Sequence, residues 1–296
     1  MGRRFLILAM RFEPTFKHTG LASPITEFAL ALAAKKDGLW VPSGTAMVIA
    51  PYLALTAKHV IEDFWRRFEE VPLDGRSPGT FSILACQIVE NGKTGQAWSV
   101  TKLTLSTFTD IAFLHLTNPI GGIPGYEWRG VKLDLAPPPF GSRIVGFGYH
   151  SPSVNVREHR NSSVEVEWHD SPTSTAGEVV EIYPRRRDSS MLPFPCYRTN
   201  ARFEHGMSGG PIFNDQGLLC GLICSGAETE TDYYSHVTTL WPSMATVVDF
   251  DREGFPSGQS YPVLDLARHG FIRAEGWERV ALGVNSDGCP TVGFRA

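Results

Sequence analysis

The chain has 296 residues, of which 42% are hydrophobic and 20% are charged, a composition of folded globular proteins that excludes disorder as its main state. Its 27 basic and 31 acidic residues give a formal net charge of −4 at pH 7, so neither nucleic acid nor an anionic membrane surface is expected as a partner. No apolar run approaches the roughly 18 residues that a membrane span requires.

The cysteine pattern favours reduced thiols. Five cysteines at irregular spacing cannot all pair within one chain, which is typical of a cytoplasmic protein and not of a secreted disulfide framework. No paired Cys-x-x-Cys arrangement and no Cys/His cluster at zinc spacing is present, so we expect neither a metal nor another cofactor.

Residues 1–40 are predicted to form an N-terminal extension. The apolar run 5–10 is shorter than the core of a secretory signal and favours a strand. Residues 24–36 have Pro and Glu near the start, good helix formers in the middle and lysines at the end, which predicts a helix.

Residues 41–245 have the pattern of an all-β domain. Short β-rich runs separated by Gly, Pro, Asn and Asp are typical of a sandwich or barrel. A short helix is expected at 60–70, and the polar stretch beginning at Tyr149 predicts a surface loop that joins two β-rich halves near 149–170. The predicted strands are 45–49, 53–56, 81–89, 98–105, 111–116, 143–147, 163–168, 179–183, 210–213, 218–224 and 236–240.

Residues 246–296 are predicted to form an α-rich C-terminal extension. Two helices are expected here, at 242–250 and 263–269, followed by a strand at 291–294. These helices do not match the β-sheet of a PDZ domain, so we do not expect a PDZ-bearing protease.

Ser208 lies among small and turn-forming residues, in the sequence Gly-Met-Ser-Gly-Gly-Pro at 206–211. Glycine permits strained dihedral angles and close approach of a ligand, so the amides of Gly206 and Ser208 can converge on one oxygen. A tight Gly-Pro turn without chemistry is the alternative.

Two candidate partners for Ser208 lie in the first half of the chain. His59 follows a β-rich run and is a candidate base, although a lone histidine there is more often a packed or surface residue. Asp110 directly precedes the apolar strand 111–116, where a buried carboxylate needs a partner that an imidazole can supply. An ordinary turn aspartate is the alternative for Asp110.

The order His59, Asp110, Ser208 in a β-rich context resembles the chymotrypsin-like (trypsin-fold) serine peptidases. The resemblance covers about residues 40–245 and rests on Leu-Thr-Ala-Lys-His-Val, Thr-Asp-Ile-Ala-Phe-Leu and Gly-Met-Ser-Gly-Gly-Pro, together with the glycine-flanked run 217–226. It implies two six-stranded antiparallel barrels around a shared cleft. It also implies that His59 activates the Ser208 hydroxyl, that Asp110 orients the imidazole, and that the Gly206 and Ser208 amides bind the oxyanion.

The chain departs from the secreted digestive members of that family. Met207 stands where those members carry the aspartate that receives the new N-terminus after activation cleavage, and no cysteines bracket His59. We therefore expect a bacterial-type member that needs neither N-terminal processing nor disulfides.

The resemblance also implies where a substrate binds. Cys224, Ser225 and Gly226 are expected to form the edge that pairs with an extended peptide backbone. Arg202 occupies the position at the base of the specificity pocket, where a guanidinium favours an acidic residue before the cleaved bond. If Arg202 points to solvent instead, Phe203 makes a shallow apolar pocket.

The sequence as a whole predicts a cytoplasmic serine endopeptidase that acts on proteins or peptides without a metal or cofactor. Its extensions, 1–40 and 246–296, are candidate sites of restraint or of docking to a regulatory partner. The alternative is a non-catalytic peptide-binding module on the same fold.

Overall fold

The computed structural model describes residues 14–20, 23–70, 80–89, 94–117, 129–158, 164–228, 233–250 and 258–295. Nearly all of its regular structure is β. The strands are β1 (Thr15–His18), β2 (Ala29–Lys36), β3 (Leu39–Ala50), β4 (Leu53–Thr56), β5 (Ser82–Val89), β6 (Thr94–Leu105), β7 (Ala112–Leu116), β8 (Leu133–Asp134), β9 (Arg143–Glu158), β10 (Val164–Tyr183), β11 (Cys196–Thr199), β12 (Pro211–Phe213), β13 (Leu219–Glu228), β14 (Tyr233–Thr238), β15 (Val247–Asp249), β16 (Ser260–Pro262), β17 (Ala274–Glu275), β18 (Val280–Val284) and β19 (Pro290–Phe294). The helices are α1 (Lys58–Arg67) and α2 (Val263–Arg268), with 3₁₀ turns at Pro24–Glu27, Trp241–Ala245 and Trp277–Arg279.

The first barrel closes in the order β2-β3-β4-β7-β6-β5. Alternate residues of its strands point inward, as the regular burial alternation along β5 shows. Its interior holds large apolar side chains, among them Leu32, Trp98 and Leu114, and α1 adds Phe64. Closure leaves this barrel without exposed sheet edges.

The second barrel closes in the order β12-β9-β10-β11-β14-β13, because β12 also pairs with β13. Ile144, Tyr197, Ile212 and Val237 lie in its buried core. All pairings in both rings are antiparallel. The expected all-β fold of two six-stranded antiparallel barrels, the chymotrypsin-like architecture, is therefore confirmed.

The helix predicted at 24–36 is wrong. Only Pro24–Glu27 forms a 3₁₀ turn, and Ala29–Lys36 is β2, paired with β3 on one side and β5 on the other. Leu30 and Leu32 face the barrel interior while Ala29 and Ala31 pack in a second core. A strand covered on both faces is a continuous apolar run, and its pairing overrides the helix propensity of Ala and Leu.

The α-rich C-terminal extension is also wrong. The helix predicted at 263–269 is confirmed as α2, and the strand predicted at 291–294 is confirmed as β19. The helix predicted at 242–250 is a 3₁₀ turn followed by β15, in which Val247 and Val248 pair with β16. β-branched residues at these two positions fit a strand better than a helix.

The surface loop predicted between the two halves is a long hairpin instead. β9 and β10 pair from Arg143 opposite Glu178 to Glu158 opposite Val164. The hydrogen bonds that join two strands come from backbone groups, so the strands can pair even where their side chains are polar. Both strands belong to the second barrel, so the chain crosses between the barrels after β7 and before β9. The first barrel already begins with β2, inside the range assigned to the N-terminal extension.

In the parts of the chain that the structure describes, every helix is too short or too polar to cross a membrane.

Candidate active site

A cleft with a volume of about 1180 Å³ lies where the two barrels meet. From the first barrel it is lined by His59 and Asp110, and from the second by Gly206, Ser208 and the segment 224–226. The fold thus brings together the three predicted catalytic residues, which are far apart in sequence.

His59 and Asp110 form a fixed pair. His59 lies in the first turn of α1, and Asp110 lies just before β7. The His59 Nδ1 atom is 2.7 Å from Asp110 Oδ2, and the His59 backbone N–H donates to Asp110 Oδ1 over 2.9 Å. Because the carboxylate accepts at Nδ1, that nitrogen carries the proton and Nε2 remains available as a base. Asp110 therefore has the imidazole partner that a buried carboxylate at this position was expected to need.

The environment of His59 raises its pKa above the ordinary value of 6.5. Burial lowers this pKa, but the hydrogen bond and negative charge of Asp110 outweigh burial, with smaller contributions from Glu62 and Asp63. The pair is therefore arranged to stabilise an imidazolium, the species that forms when His59 accepts a proton.

Cys224 completes the surroundings of Asp110. Its Sγ atom donates to Asp110 Oδ2 over 3.1 Å. Burial, together with the charge of Asp110, raises the pKa of this thiol well above its ordinary value. Cysteine binds metals and attacks carbonyls as a thiolate, so a thiol held protonated beside a carboxylate acts as a hydrogen-bond donor. The sequence predicted Cys224 at the substrate edge, and its side-chain contact with Asp110 is visible only in three dimensions.

The loop before β12 has two features expected of an oxyanion-binding loop. Gly206 has a φ of +91°, and a Cβ atom there would lie 2.5 Å from the Tyr149 carbonyl oxygen, so only glycine fits. Among the hydrogen bonds of the described residues, none uses the N–H of Gly206 or of Ser208. These two amides are therefore available to bind an anionic oxygen.

Ser208 lines the same cleft as His59. No hydrogen bond between the Ser208 hydroxyl and the imidazole occurs in the described part of the chain. Catalytic hydrogen bonds of this kind often form only when substrate binds. Met207, next to Ser208, is fully buried in the second barrel's core, in place of a charged group.

The structure does not place Arg202 in the cleft. Its guanidinium pairs with Glu204 and lies 4.9 Å from the centre of the Phe16 ring on β1. Phe203 is buried in the core of the second barrel. Neither residue lines the cleft, so this geometry gives no support to the acidic preference inferred from Arg202.

Cys224, Ser225 and Gly226 line the cleft as expected. They lie on β13, whose pairing with β12 extends from Leu219 to Leu222, while β14 occupies the other edge. In the described residues the cleft-facing edge beyond Ile223 therefore lacks a paired strand, as needed for an extended peptide to add to the sheet.

A loop at 187–194 forms one wall of the cleft. The Asp188 Oδ1 atom accepts the backbone N–H groups of Ser190, Met191 and Leu192 at 2.8, 2.6 and 3.2 Å. These bonds lower the pKa of Asp188 below its ordinary value and fix the loop. Met191 lines the cleft and is 78% exposed.

Residues 44–222 match the family model of the trypsin-like peptidase domain. No curated protein matches the chain. Among solved structures, the MamO protease domain from Magnetospirillum magneticum is 13% identical, with 73% of this chain and 93% of that chain covered and a TM-score of 0.44. The Rv3671c protease from M. tuberculosis in its active form is 16% identical, with 74% of this chain and 78% of that chain covered and a TM-score of 0.44. Deg5 is 15% identical, with 72% of this chain and 85% of that chain covered and a TM-score of 0.45.

Proposed function

The chain belongs to the trypsin-like peptidase family, and we propose that it is a serine endopeptidase with Ser208 as its nucleophile. The observation that carries the proposal is the pairing of His59 with Asp110 in a cleft that Ser208 also lines. An extended segment of a protein or peptide substrate binds along Cys224–Gly226, with the bond to be cleaved beside Ser208. The cytoplasmic location and a regulatory partner stay predictions from the sequence.

In the proposed reaction His59 Nε2 takes the hydroxyl proton of Ser208 while the oxygen of Ser208 bonds to the peptide carbonyl carbon. The negative charge that develops on the carbonyl oxygen is bound by the amides of Gly206 and Ser208. The imidazolium of His59, stabilised by Asp110, then gives its proton to the leaving amine as the C–N bond breaks. Water, activated by His59 in the same way, hydrolyses the acyl-enzyme and restores the Ser208 hydroxyl.

Intact mass after exposure to a fluorophosphonate tests this proposal. We expect one adduct on the wild-type protein and none on Ser208→Ala or His59→Ala, because the reagent requires an activated serine. An adduct that persists on Ser208→Ala would assign the reactivity to another residue. A folded protein that binds peptides but never forms the adduct would be the non-catalytic peptide-binding module.

A further inference from the structure

Thr45, on β3 of the first barrel, bonds directly to the loop of the second barrel that carries Ser208. The Thr45 hydroxyl donates to the Gly206 carbonyl oxygen over 3.0 Å, and the Thr45 backbone N–H donates to the Ser208 carbonyl oxygen over 2.8 Å. The same hydroxyl accepts the backbone N–H of Tyr149 over 3.0 Å. Thr45 is fully buried, so water does not compete for these bonds.

The bonds of Thr45 complete a set that fixes the whole loop. Four consecutive carbonyls, those of residues 205–208, each accept one hydrogen bond. The donors are the Ser151 N–H for residue 205, the Thr45 hydroxyl for 206, the Gly210 N–H for 207 and the Thr45 N–H for 208. In a planar trans peptide the N–H points away from the C=O. The carbonyl of residue 205 shares its peptide group with the Gly206 amide, and that of residue 207 with the Ser208 amide, so Ser151 and Gly210 set the directions of these two amides. Thr45 holds the carbonyls of Gly206 and Ser208 themselves, and so fixes the peptide group that directly follows each of the two amides.

We propose that Thr45 is a positioning residue for the oxyanion hole. It holds the loop in the conformation in which both amides face the cleft, and it does so from the barrel that supplies His59 and Asp110. This role rests on the proposed function, because an oxyanion hole has a purpose only if Ser208 forms a tetrahedral intermediate.

Substitution of Thr45 by Val tests the role, because Val has nearly the same shape and lacks the hydroxyl. The Gly206 carbonyl then loses its donor, so the peptide group between Gly206 and Met207 can turn and displace the Gly206 and Ser208 amides on either side of it. Loss of a whole oxyanion donor lowers kcat about 100- to 1000-fold, so we expect a misdirected one to lower kcat roughly 10- to 100-fold. KM should stay within about threefold, since the substrate edge on β13 is unchanged. Thr45→Ser restores the hydroxyl and should restore kcat.

Thr239→Val is the matched control. Thr239 is also buried, and its hydroxyl donates to the Pro195 carbonyl oxygen over 3.0 Å, outside the loop that carries Ser208. A lowered melting temperature in both valine variants, with kcat lowered only in Thr45→Val, would support positioning. Equal kcat values in Thr45→Val and the wild type would overturn it, as would a Thr45→Ser variant as slow as Thr45→Val.

A peptide boronate, which becomes tetrahedral on Ser208, separates positioning from general packing. Its dissociation constant should increase in Thr45→Val by about the factor lost in kcat, while that of a product peptide should not change. If Thr45→Val does not fold, Thr45→Ala and Thr45→Ser give the same comparison, because they differ only in the hydroxyl. A wild-type protein that neither reacts with a fluorophosphonate nor cleaves peptides would contradict the proposed function itself, and this role with it.

Discussion

Asp110 accepts two hydrogen bonds from His59 and one from Cys224, and its pairing with His59 gives a prediction for the pH dependence of the proposed reaction. His59 must be neutral to act as a base, and its pKa lies above 6.5. We therefore expect kcat/KM to increase with pH through that raised pKa. Asp110→Asn removes the charge that raises the pKa, so the increase should shift to lower pH, and kcat should fall on the order of 10⁴-fold. A pH profile that does not shift in Asp110→Asn would contradict the assignment.

The hydrogen bond from Cys224 to Asp110 gives a second prediction for a single residue. Cys224→Ala removes one donor to Asp110 and should lower kcat about fivefold, the equivalent of about 1 kcal/mol for one hydrogen bond. Cys224→Ser keeps a donor and should stay closer to the wild-type rate. Both variants should still form the fluorophosphonate adduct on Ser208, as intact mass would show. Loss of the adduct in Cys224→Ala, with the fold intact by circular dichroism, would mean that the sulfur takes part in the chemistry.

Individual residues also show which parts of the site could be predicted from the sequence. His59, Asp110 and Ser208 could be predicted from their order along the chain and from the resemblance that the three motifs carry together, whereas each residue alone has an ordinary structural alternative. The environment of Arg202 could not be predicted from the sequence. Its guanidinium lies over Phe16 of β1, a contact across nearly two hundred residues that no local pattern encodes.

At the scale of elements, β13 lies in close contact with the segment that precedes the Ser208 loop. A Cβ atom on Gly226 would lie 2.5 Å from the Phe203 carbonyl oxygen, and we infer from this contact that a peptide bound along Cys224–Gly226 finds little room there for a long side chain. We expect peptides with Ala, Ser or Val before the cleaved bond to have kcat/KM at least about tenfold above those with Phe or Glu. A peptide library analysed by mass spectrometry measures this preference, and Arg202→Ala should leave it unchanged. A preference for Glu that Arg202→Ala abolishes would instead restore the acidic interpretation.

Two of the elements that the sequence mispredicts, β2 and the β9–β10 hairpin, have a common physical cause. β2 is rich in Ala and Leu, and the β9–β10 hairpin is polar, so local propensity favours a helix for one and a loop for the other. Pairing with distant strands decides both, since β2 is enclosed by β3 and β5, and β10 lies between β9 and β11. α1 was predictable because its buried residues Val60, Ile61, Phe64 and Trp65 repeat at helical spacing.

At the scale of the whole molecule, one continuous apolar core joins the two barrels and the C-terminal segment. It contains Phe113 of the first barrel, Tyr149 of the second, and Trp241, Leu264 and Leu266 of the segment that follows them. β17 also pairs with β8, which pairs with β13. The C-terminal segment therefore helps to hold the barrels in the relative position that the cleft requires.

Leu266→Ala tests this structural role. Leu266 lies on α2 and is fully buried, so its truncation should lower the free energy of unfolding by about 2–5 kcal/mol. Leu282, on β18, is 39% exposed, and Leu282→Ala should change that free energy by less than about 1 kcal/mol. Urea unfolding followed by tryptophan fluorescence measures both changes. If Leu266→Ala unfolds at the same urea concentration as the wild type, the segment is not part of the shared core, and the restraint or docking role inferred from the sequence becomes the better explanation for it.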